Sequence, residues 1–577
     1  MRRSAALVLA LAACSSNAPS TSDGGTNDGG APDGVVTPDA GPDGVAPDSG
    51  PQPTNVIPAD RRVDWSPGRT IPAYATGKTA CNSGCDFTTK GDDATDDSAV
   101  VESCLKAVSS GQACLVKAGT YAIKHAILVP SNVVLRGEGP GKTVFDNRWN
   151  GGITVELAQG GDVDQGQSDL PIASGTTKGS TSLSFASAPS FAAGSYLAVT
   201  ENVDATLVNP TGEDGTCTWC GGPYQEGAGT QPMGQIVQVT NVAGANVTID
   251  RPLDYTFPSS LAPVALPLTN LVENAGVESL TIDEKTTGAG ENNGLVQFYG
   301  CVGCWAKGVE ISGAYAEFVE LQFSKGCVVR DSYLHDPQTA DSGRGYGVHV
   351  LYWNSDHLIE NNVMVKNRHS VAFEGGGSGV VVAYNFMYRD WESDSDPNWL
   401  GDDLITHGAH PYMNLLEGNV HQQLALDDIW GSSSHMTYFR NNPTATGDYE
   451  TTANENNDSI VVSADNRYAN IVANVFGTAS LKAPTSYDTG VKSTLLTCGD
   501  AYVGTSTPVD GACTDTLPPS LYLGAAPSWF STPYGTVPFP PIGPDVSGTV
   551  NEIPAELCFD HTIAQSAAFD PSTCYGD

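Results

Sequence analysis

Positive charge is scarce in this chain. Its 577 residues carry 27 Lys and Arg against 65 Asp and Glu, a formal net charge of −38. A nucleic-acid reader draws its affinity from basic side chains that displace phosphate counterions, so that partner class is excluded. A body this negative also repels a polyanion unless a divalent cation or a local basic patch intervenes; the plain reading of the acidity is solubility. Charged residues of both signs make up only 16%, which is not the composition of a coiled coil or a long-helix protein. Long apolar runs are missing as well. Ala5 to Ala13 is too short to span a bilayer, and no later stretch is longer. Glycine is abundant, at 64 residues, as expected where short elements are broken by turns.

The N-terminus reads as a targeting segment. Arg2 and Arg3 precede the apolar run, which ends Leu11-Ala12-Ala13-Cys14 before the chain turns polar. This is similar to a bacterial lipobox, so residues 1–14 are expected to be a signal peptide with Cys14 lipidated; an ordinary leader with an incidental Cys is the alternative. The membrane is then reached only through the lipid, at the bacterial outer membrane or cell surface. Residues 15–58, mostly Pro, Gly, Asp, Ser and Thr, form a disordered tether. Export favours disulfides. Spacing suggests Cys81 with Cys85, Cys104 with Cys114, Cys217 with Cys220, Cys301 with Cys304, Cys498 with Cys513 and Cys558 with Cys574, leaving Cys327 as a buried thiol. A zinc site is the alternative for the two Cys-x-x-Cys pairs.

The folded part starts near Asp64-Trp65-Ser66. Gly91-Asp92-Asp93-Ala94-Thr95-Asp96-Asp97 leads into an amphipathic helix over Ser98 to Val108, capped by Asp97 or Ser98. Short strands broken by Gly follow at Ala113 to Val116, Gly119-Thr120-Tyr121 and Asn132 to Gly137. Residues 59–150 thus open the folded part with a helix and short strands, and 151–269, rich in Gly, Ser, Thr and Ala, are an inserted β-rich segment. Regular coils occupy 270–480, and 481–577 is a disulfide-containing cap. The period is set by polar residues that close each apolar unit: Ser332, Asn362, Asn385, Asn419, Asn442 and Asn474. Two of the steps are 23 residues and the longer ones are one coil plus an insertion, which marks a solenoid with stacked Asn.

The insertions, about 336–347, 390–410 and 444–458, share one phase and so should wall one groove. Counting from the markers places Arg368 with His369, Asp402 with Asp403, and Asp427 with Asp428 at nearly one angular position on three coils. A cation, an imidazole and several carboxylates within reach of each other suit acid–base chemistry on a sugar. His407 and His410 close the same insertion, His349 and Glu374 lie nearby in phase, and Tyr412 and Trp430 are candidate sugar contacts. Asp402, Asp403, Asp427 and Asp428 offer oxygen ligands suited to calcium. Each residue also has a structural reading: capped turns for the Asp pairs, an ion pair for Arg368, a packed ring for His369.

The Gly-Asp-x-x-Thr-Asp-Asp run, the capping helix, Ala118-Gly119-Thr120-Tyr121 and Val133-Val134-Leu135-Arg136-Gly137 together resemble the entry coils of the pectate-lyase-like β-helix superfamily. So do His407-Gly408, Pro411 to Asn419, Asp428-x-Trp430-Gly431 and Phe439-Arg440-Asn441. The resemblance implies an all-β fold, a right-handed parallel β-helix with an N-terminal capping helix and an inserted β-rich segment. It also implies a polysaccharide as partner and the handling of carbohydrate. Gly401-Asp402-Asp403 resembles one polygalacturonase element, but the other elements and the Arg-x-x-Arg-x-Pro of calcium pectate lyases are absent. The leading expectation is a polysaccharide lyase, with His369 or His407 as base and Arg368 neutralising a uronate. The alternatives are a glycoside hydrolase using the Asp pairs and a glycan-binding adhesin without turnover. A monomer is expected, with calcium as the one candidate cofactor.

Overall fold

Short strands opened by two apolar residues and followed by a turn stack on copies of themselves. Val328–Arg330, Leu358–Glu360, Val381–Ala383 and Leu415–Glu417 pair in register as parallel strands of a thirteen-stranded sheet. Two ten-stranded parallel sheets complete the sides, and each coil visits all three in turn. The structure is a computed structural model that describes residues 55–66, 70–159, 163, 168–217, 220, 231–288, 294–341, 343–392, 400–446, 456–482 and 484–576. The expected leader with Cys14 and nearly all of the tether lie outside them. The architecture is a right-handed parallel β-helix, the hand that parallel crossovers take. Its inside is a dry column of apolar side chains such as Val329, Ile359, Val382, Leu416 and Ile471. The helix Ser98–Ala107 covers its first end with Val101, Cys104 and Leu105.

One corner explains the periodicity. Asp331, Asn361, Tyr384, Gly418, Arg440 and Ala473 all have left-handed backbone, φ 53–68°, and bend the chain between two sheets. The next residue in each coil is the marker. Asn362 N–H donates to Asn385 Oδ1 at 3.0 Å, Asn385 N–H to Asn419 Oδ1 at 3.0 Å, and Asn419 N–H to Asn441 Oδ1 at 2.9 Å. Asn441 N–H continues to Asn474 and Asn474 N–H to Asp500. The marker of the fifth coil is therefore Asn441 rather than Asn442. Arg440 holds the left-handed position, so its successor faces the ladder, while Asn442 opens the next strand. Each rung satisfies a buried N–H that the bend would otherwise orphan, at about 1–3 kcal/mol per lost partner.

The segment after Val155–Leu157, a strand that belongs to the solenoid, leaves the coil path. It forms a closed six-stranded barrel from Leu170–Ser174 to Val264–Leu268 around Leu183, Leu197, Val237 and Val247. The coils run on beyond 480: Asn470–Val472 pairs with Leu496–Cys498, and Val475 with Ala501. The C-terminal segment then returns along the outside of the thirteen-stranded sheet and of the ten-stranded sheet that holds Tyr333. Tyr522 Oη donates to Glu360 at 2.6 Å, Arg440 forks onto Asp545 at 2.7 and 2.8 Å, and the Phe569 ring lies 5.7 Å from Tyr333.

Five of the expected disulfides are formed: Cys81–Cys85, Cys104–Cys114, Cys217–Cys220, Cys498–Cys513 and Cys558–Cys574. The sixth is not. Cys301, Cys304 and Cys327 are all free and buried. The solenoid interior holds these thiols as small apolar side chains, with Cys301 Sγ on the Leu157 carbonyl at 3.0 Å.

Candidate functional site

The returning C-terminal segment covers the outside of two of the three sheets. The outer face of another, containing Glu317–Gln322, Tyr346–Val350, His369–Phe373, Leu404–Thr406 and Leu424–Leu426, gathers the ionisable groups. The three insertions all enter this sheet, so they do emerge on one side; 342, 393–399 and 447–455 within them lie outside the described residues. Ala372, Ile405 and Ala425, one on each coil, form an apolar floor against which Tyr346 packs.

Polar groups occupy both ends of that floor. At one end His369 Nδ1 lies 2.7 Å from the Asp402 carbonyl. A carbonyl only accepts, so Nδ1 carries the hydrogen and Nε2 keeps a lone pair. Nε2 is buried with no hydrogen-bond partner among the described residues, 3.9 Å from Glu392 Oε1. Burial, together with Arg368 and His407, pushes the His369 imidazole well below its ordinary value, so it is neutral. Arg368 Nη2 donates to Glu392 at 3.2 Å and its guanidinium lies over the Tyr346 ring at 5.9 Å. Asp402 is pushed up to about 8 by burial and by the charges of Glu392 and Asp427.

At the other end His407 Nδ1 meets Asp427 Oδ2 at 2.5 Å. Burial opposes its charge, but Asp427 and Glu374 outweigh burial and raise its pKa. His349 is held between Glu317 at 3.2 Å and Glu374 at 2.8 Å. Burial again opposes the cation, yet the two carboxylates lift it to about 10, so it is a fixed imidazolium. Side chains close the gap between the ends: the His369 and His407 rings are 5.9 Å apart.

Several expected placements change. Val371 pairs with Leu404, but Leu404 pairs with Leu424 only 20 residues on. Register therefore sets Asp427 beside His407 and Glu374, rather than beside Arg368 and His369. The insertions lengthen the path between this sheet and the marker corner, so counting from the markers slips. Asp403 turns away from the floor, accepts from the Gln422 backbone N–H and lies 3.9 Å from His421. Burial and its neighbour Asp390 push its carboxyl well up. Among the described residues no three His, Cys, Asp or Glu side chains converge on one metal position. Asp402, Asp403, Asp427 and Asp428 thus do not come together as the expected set of calcium ligands. His410 bonds Ser434 at 2.6 Å on another strip, and Tyr412 is fully buried against the barrel. Neither lines the floor. Trp430 does border it, 38% exposed, with its ring 6.4 Å from His407.

Glu317, Glu320, Tyr346 and Glu392 belong to the site and were not singled out from the sequence. Glu320 aligns with His349 across one coil, so the phase of His349 would have found it.

Fold and site together define a parallel β-helix protein with a row of ionisable side chains gathered on the outer face of one sheet. No protein-family model and no curated protein matches the sequence. Among solved structures it is similar to the tailspike gp61 of Pseudomonas phage phi297, with 15% identity over 70% of this chain and 62% of that one and a TM-score of 0.49. It is also similar to the gp54 tailspike of Acinetobacter baumannii bacteriophage AP22, solved with capsular saccharide, with 14% identity, 67% and 56% coverage and a TM-score of 0.45. A third is the A-module of Azotobacter vinelandii mannuronan C-5 epimerase AlgE4, with 13% identity, 74% and 96% coverage and a TM-score of 0.34. The chain spans about three fifths of the length of the two tailspikes.

Proposed function

We propose that this protein is a polysaccharide lyase that cleaves a uronate-containing glycan by β-elimination. The observation that carries this reading is His369, a neutral imidazole beside Arg368 whose Nε2 lone pair has no hydrogen-bond partner among the described residues. Arg368 faces the uronate carboxylate and stabilises charge that develops as the adjacent C–H ionises. His369 Nε2 takes that proton, the electron pair forms the new C=C bond, and the neighbouring C–O bond breaks. Asp402, protonated at neutral pH by its raised pKa, gives its proton to the departing sugar oxygen. Tyr346, packed on the floor, supports the bound ring.

A second reading rests on the same cleft. Asp402 is held protonated while Asp427 is hydrogen-bonded to an imidazole, and two carboxyls in different environments are the acid and base of a glycoside hydrolase. Product chemistry separates the two. Purified protein on acidic and neutral polysaccharides should yield unsaturated products absorbing in the ultraviolet, lost in His369→Ala. New reducing ends without unsaturation would replace the lyase by the hydrolase, and no product from any glycan would sink both.

Export and anchoring through Cys14 belong to this reading. The leader's charge and length pattern supports them, as do five disulfides, which persist in oxidising compartments.

A further inference from the structure

The cleft has a wall that the reaction above does not use. The barrel sends residues 204–217 across to the turn at 427–432. Asn209 N–H donates to Ser432 Oγ at 2.8 Å, Ser432 N–H returns to the Asn209 carbonyl at 3.1 Å, and Glu213 N–H reaches the Ile429 carbonyl at 3.2 Å. Gly212, at φ +75°, permits this approach: a Cβ there would lie 2.3 Å from the Ile429 carbonyl. The contact holds out Ile429 and Trp430, 45% and 38% exposed, two of the four large apolar side chains exposed among the described residues. Trp430 is also the one that touches the His407 end of the floor.

Carboxylates outnumber cations around Trp430, and the His407 imidazole there is held by Asp427. Asp428 is pushed up to about 6 by burial and by the nearby carboxylates Asp427, Glu213, Asp465 and Asp488. Arg467 is engaged with Asp465 at 2.9 Å. The Arg368 end, whose His369 ring lies 5.9 Å from that of His407, carries the neutral base and the guanidinium, which is paired with Glu392 at 3.2 Å. The cleft is therefore polarised along its length. A carboxylate sugar is welcome at one end and repelled at the other. An indole face with carboxylate acceptors around it suits a pyranose with no charge: its C–H face stacks and its hydroxyls donate.

We infer that the wall formed by Trp430, Asp428 and Glu213 is a subsite for an uncharged sugar, so the polymer taken by this cleft is mixed, a uronate flanked by a neutral residue. This rests on the lyase reading for the uronate end and adds the identity of its neighbour. It assigns the barrel a role in specificity, as the support that sets Trp430.

The test is calorimetric titration of full-length His369→Ala, which binds without turnover, with two size-matched tetrasaccharides. One is a homouronate; the other alternates uronate and neutral hexose. Tighter binding of the mixed oligomer, by tenfold or more, is expected. Trp430→Ala should weaken the mixed oligomer about tenfold and leave the homouronate unchanged, with Trp430→Phe recovering most of the loss. Asp428→Asn with Glu213→Gln should narrow the discrimination by improving homouronate binding. Equal or tighter homouronate binding overturns the subsite, as does an equal effect of Trp430→Ala on both ligands. Wild-type products keep the two ideas apart. Unsaturated products from a preferred homouronate leave the lyase standing without the subsite. Saturated reducing ends from a preferred mixed polymer leave the subsite without the lyase. Binding of neither overturns both.

Discussion

His369 and Asp402, 33 residues apart in sequence, are joined by a hydrogen bond of 2.7 Å from the ring Nδ1 to the backbone carbonyl. The bond fixes the tautomer from the backbone, so it survives changes in the Asp402 side chain. Replacing His369 by Ala or Gln should lower kcat about 100- to 10,000-fold, the range for losing a general base, while the melting temperature shifts by only a few degrees. A variant with more than a tenth of wild-type turnover would remove His369 from the mechanism.

Activity should fall as pH rises. In the proposed elimination Asp402 must hold its proton to assist the leaving oxygen, and its value of about 8 places the alkaline limb there. His369 must be neutral and, being held well below its ordinary value, stays so into mildly acidic solution. In Asp402→Asn the alkaline limb of the kcat profile should vanish along with most of the rate; an unchanged limb would assign it to another group.

Stability should be greatest in weak acid. Burial lifts Glu201, Glu284 and Glu556 to about 8 and Asp390 and Glu417 to about 7. A raised folded-state pKa contributes stability that is complete below the unfolded value and is lost as pH climbs through the folded one. Buried His410 and His421 act oppositely: held down to about 3 by burial, they favour the fold above the unfolded imidazole value and cease to as pH drops below it. Thermal melts should peak at roughly pH 5–6 and decline toward pH 9. A flat or rising profile between pH 6 and 9 would contradict the buried protonated carboxyls.

The Asn ladder should be expensive to interrupt. Asn419→Ala removes bonds to Asn385, Asn441 and the Val382 carbonyl, orphaning buried groups. A loss of about 2–5 kcal/mol is expected for several unsatisfied partners, read as a lower denaturant midpoint with an unchanged slope.

Thiol counting checks the core cysteines. A chain lacking Cys14, unfolded without reductant, should release three reactive thiols, from Cys301, Cys304 and Cys327, and none while native. One thiol instead of three would restore the Cys301–Cys304 bridge.

The solenoid was readable because its corner imposes chemistry on single positions: a left-handed residue, then a side chain able both to accept and to donate. Where two Asn stand together, at 441 and 442, composition does not choose between them and backbone conformation does. The cleft was harder to read. Its loops were located correctly, since insertions at one phase must emerge together. The register of Asp427 was not, because distance along the chain between marker and sheet varies with every loop. His410 and Tyr412 looked like cleft residues until the barrel claimed their strip. The barrel itself is written in Ser, Thr and Ala alternations that point to strands but not to closure. Glu317 and Glu320 lie in a coil whose marker is Ser332 rather than an Asn, and it is the phase of His349 that points to Glu320.

Solenoids usually come apart from their ends, one repeat at a time, since each repeat touches only its neighbours. Here the C-terminal segment spans many coils: Phe569 reaches Tyr333, Phe559 reaches Phe386 and Asp545 grips Arg440. Fraying of a terminal coil must therefore strip a strap that is also fastened to the middle. Such a strap raises the barrier to unfolding, which lengthens the native lifetime against proteases independent of how large the equilibrium stability is.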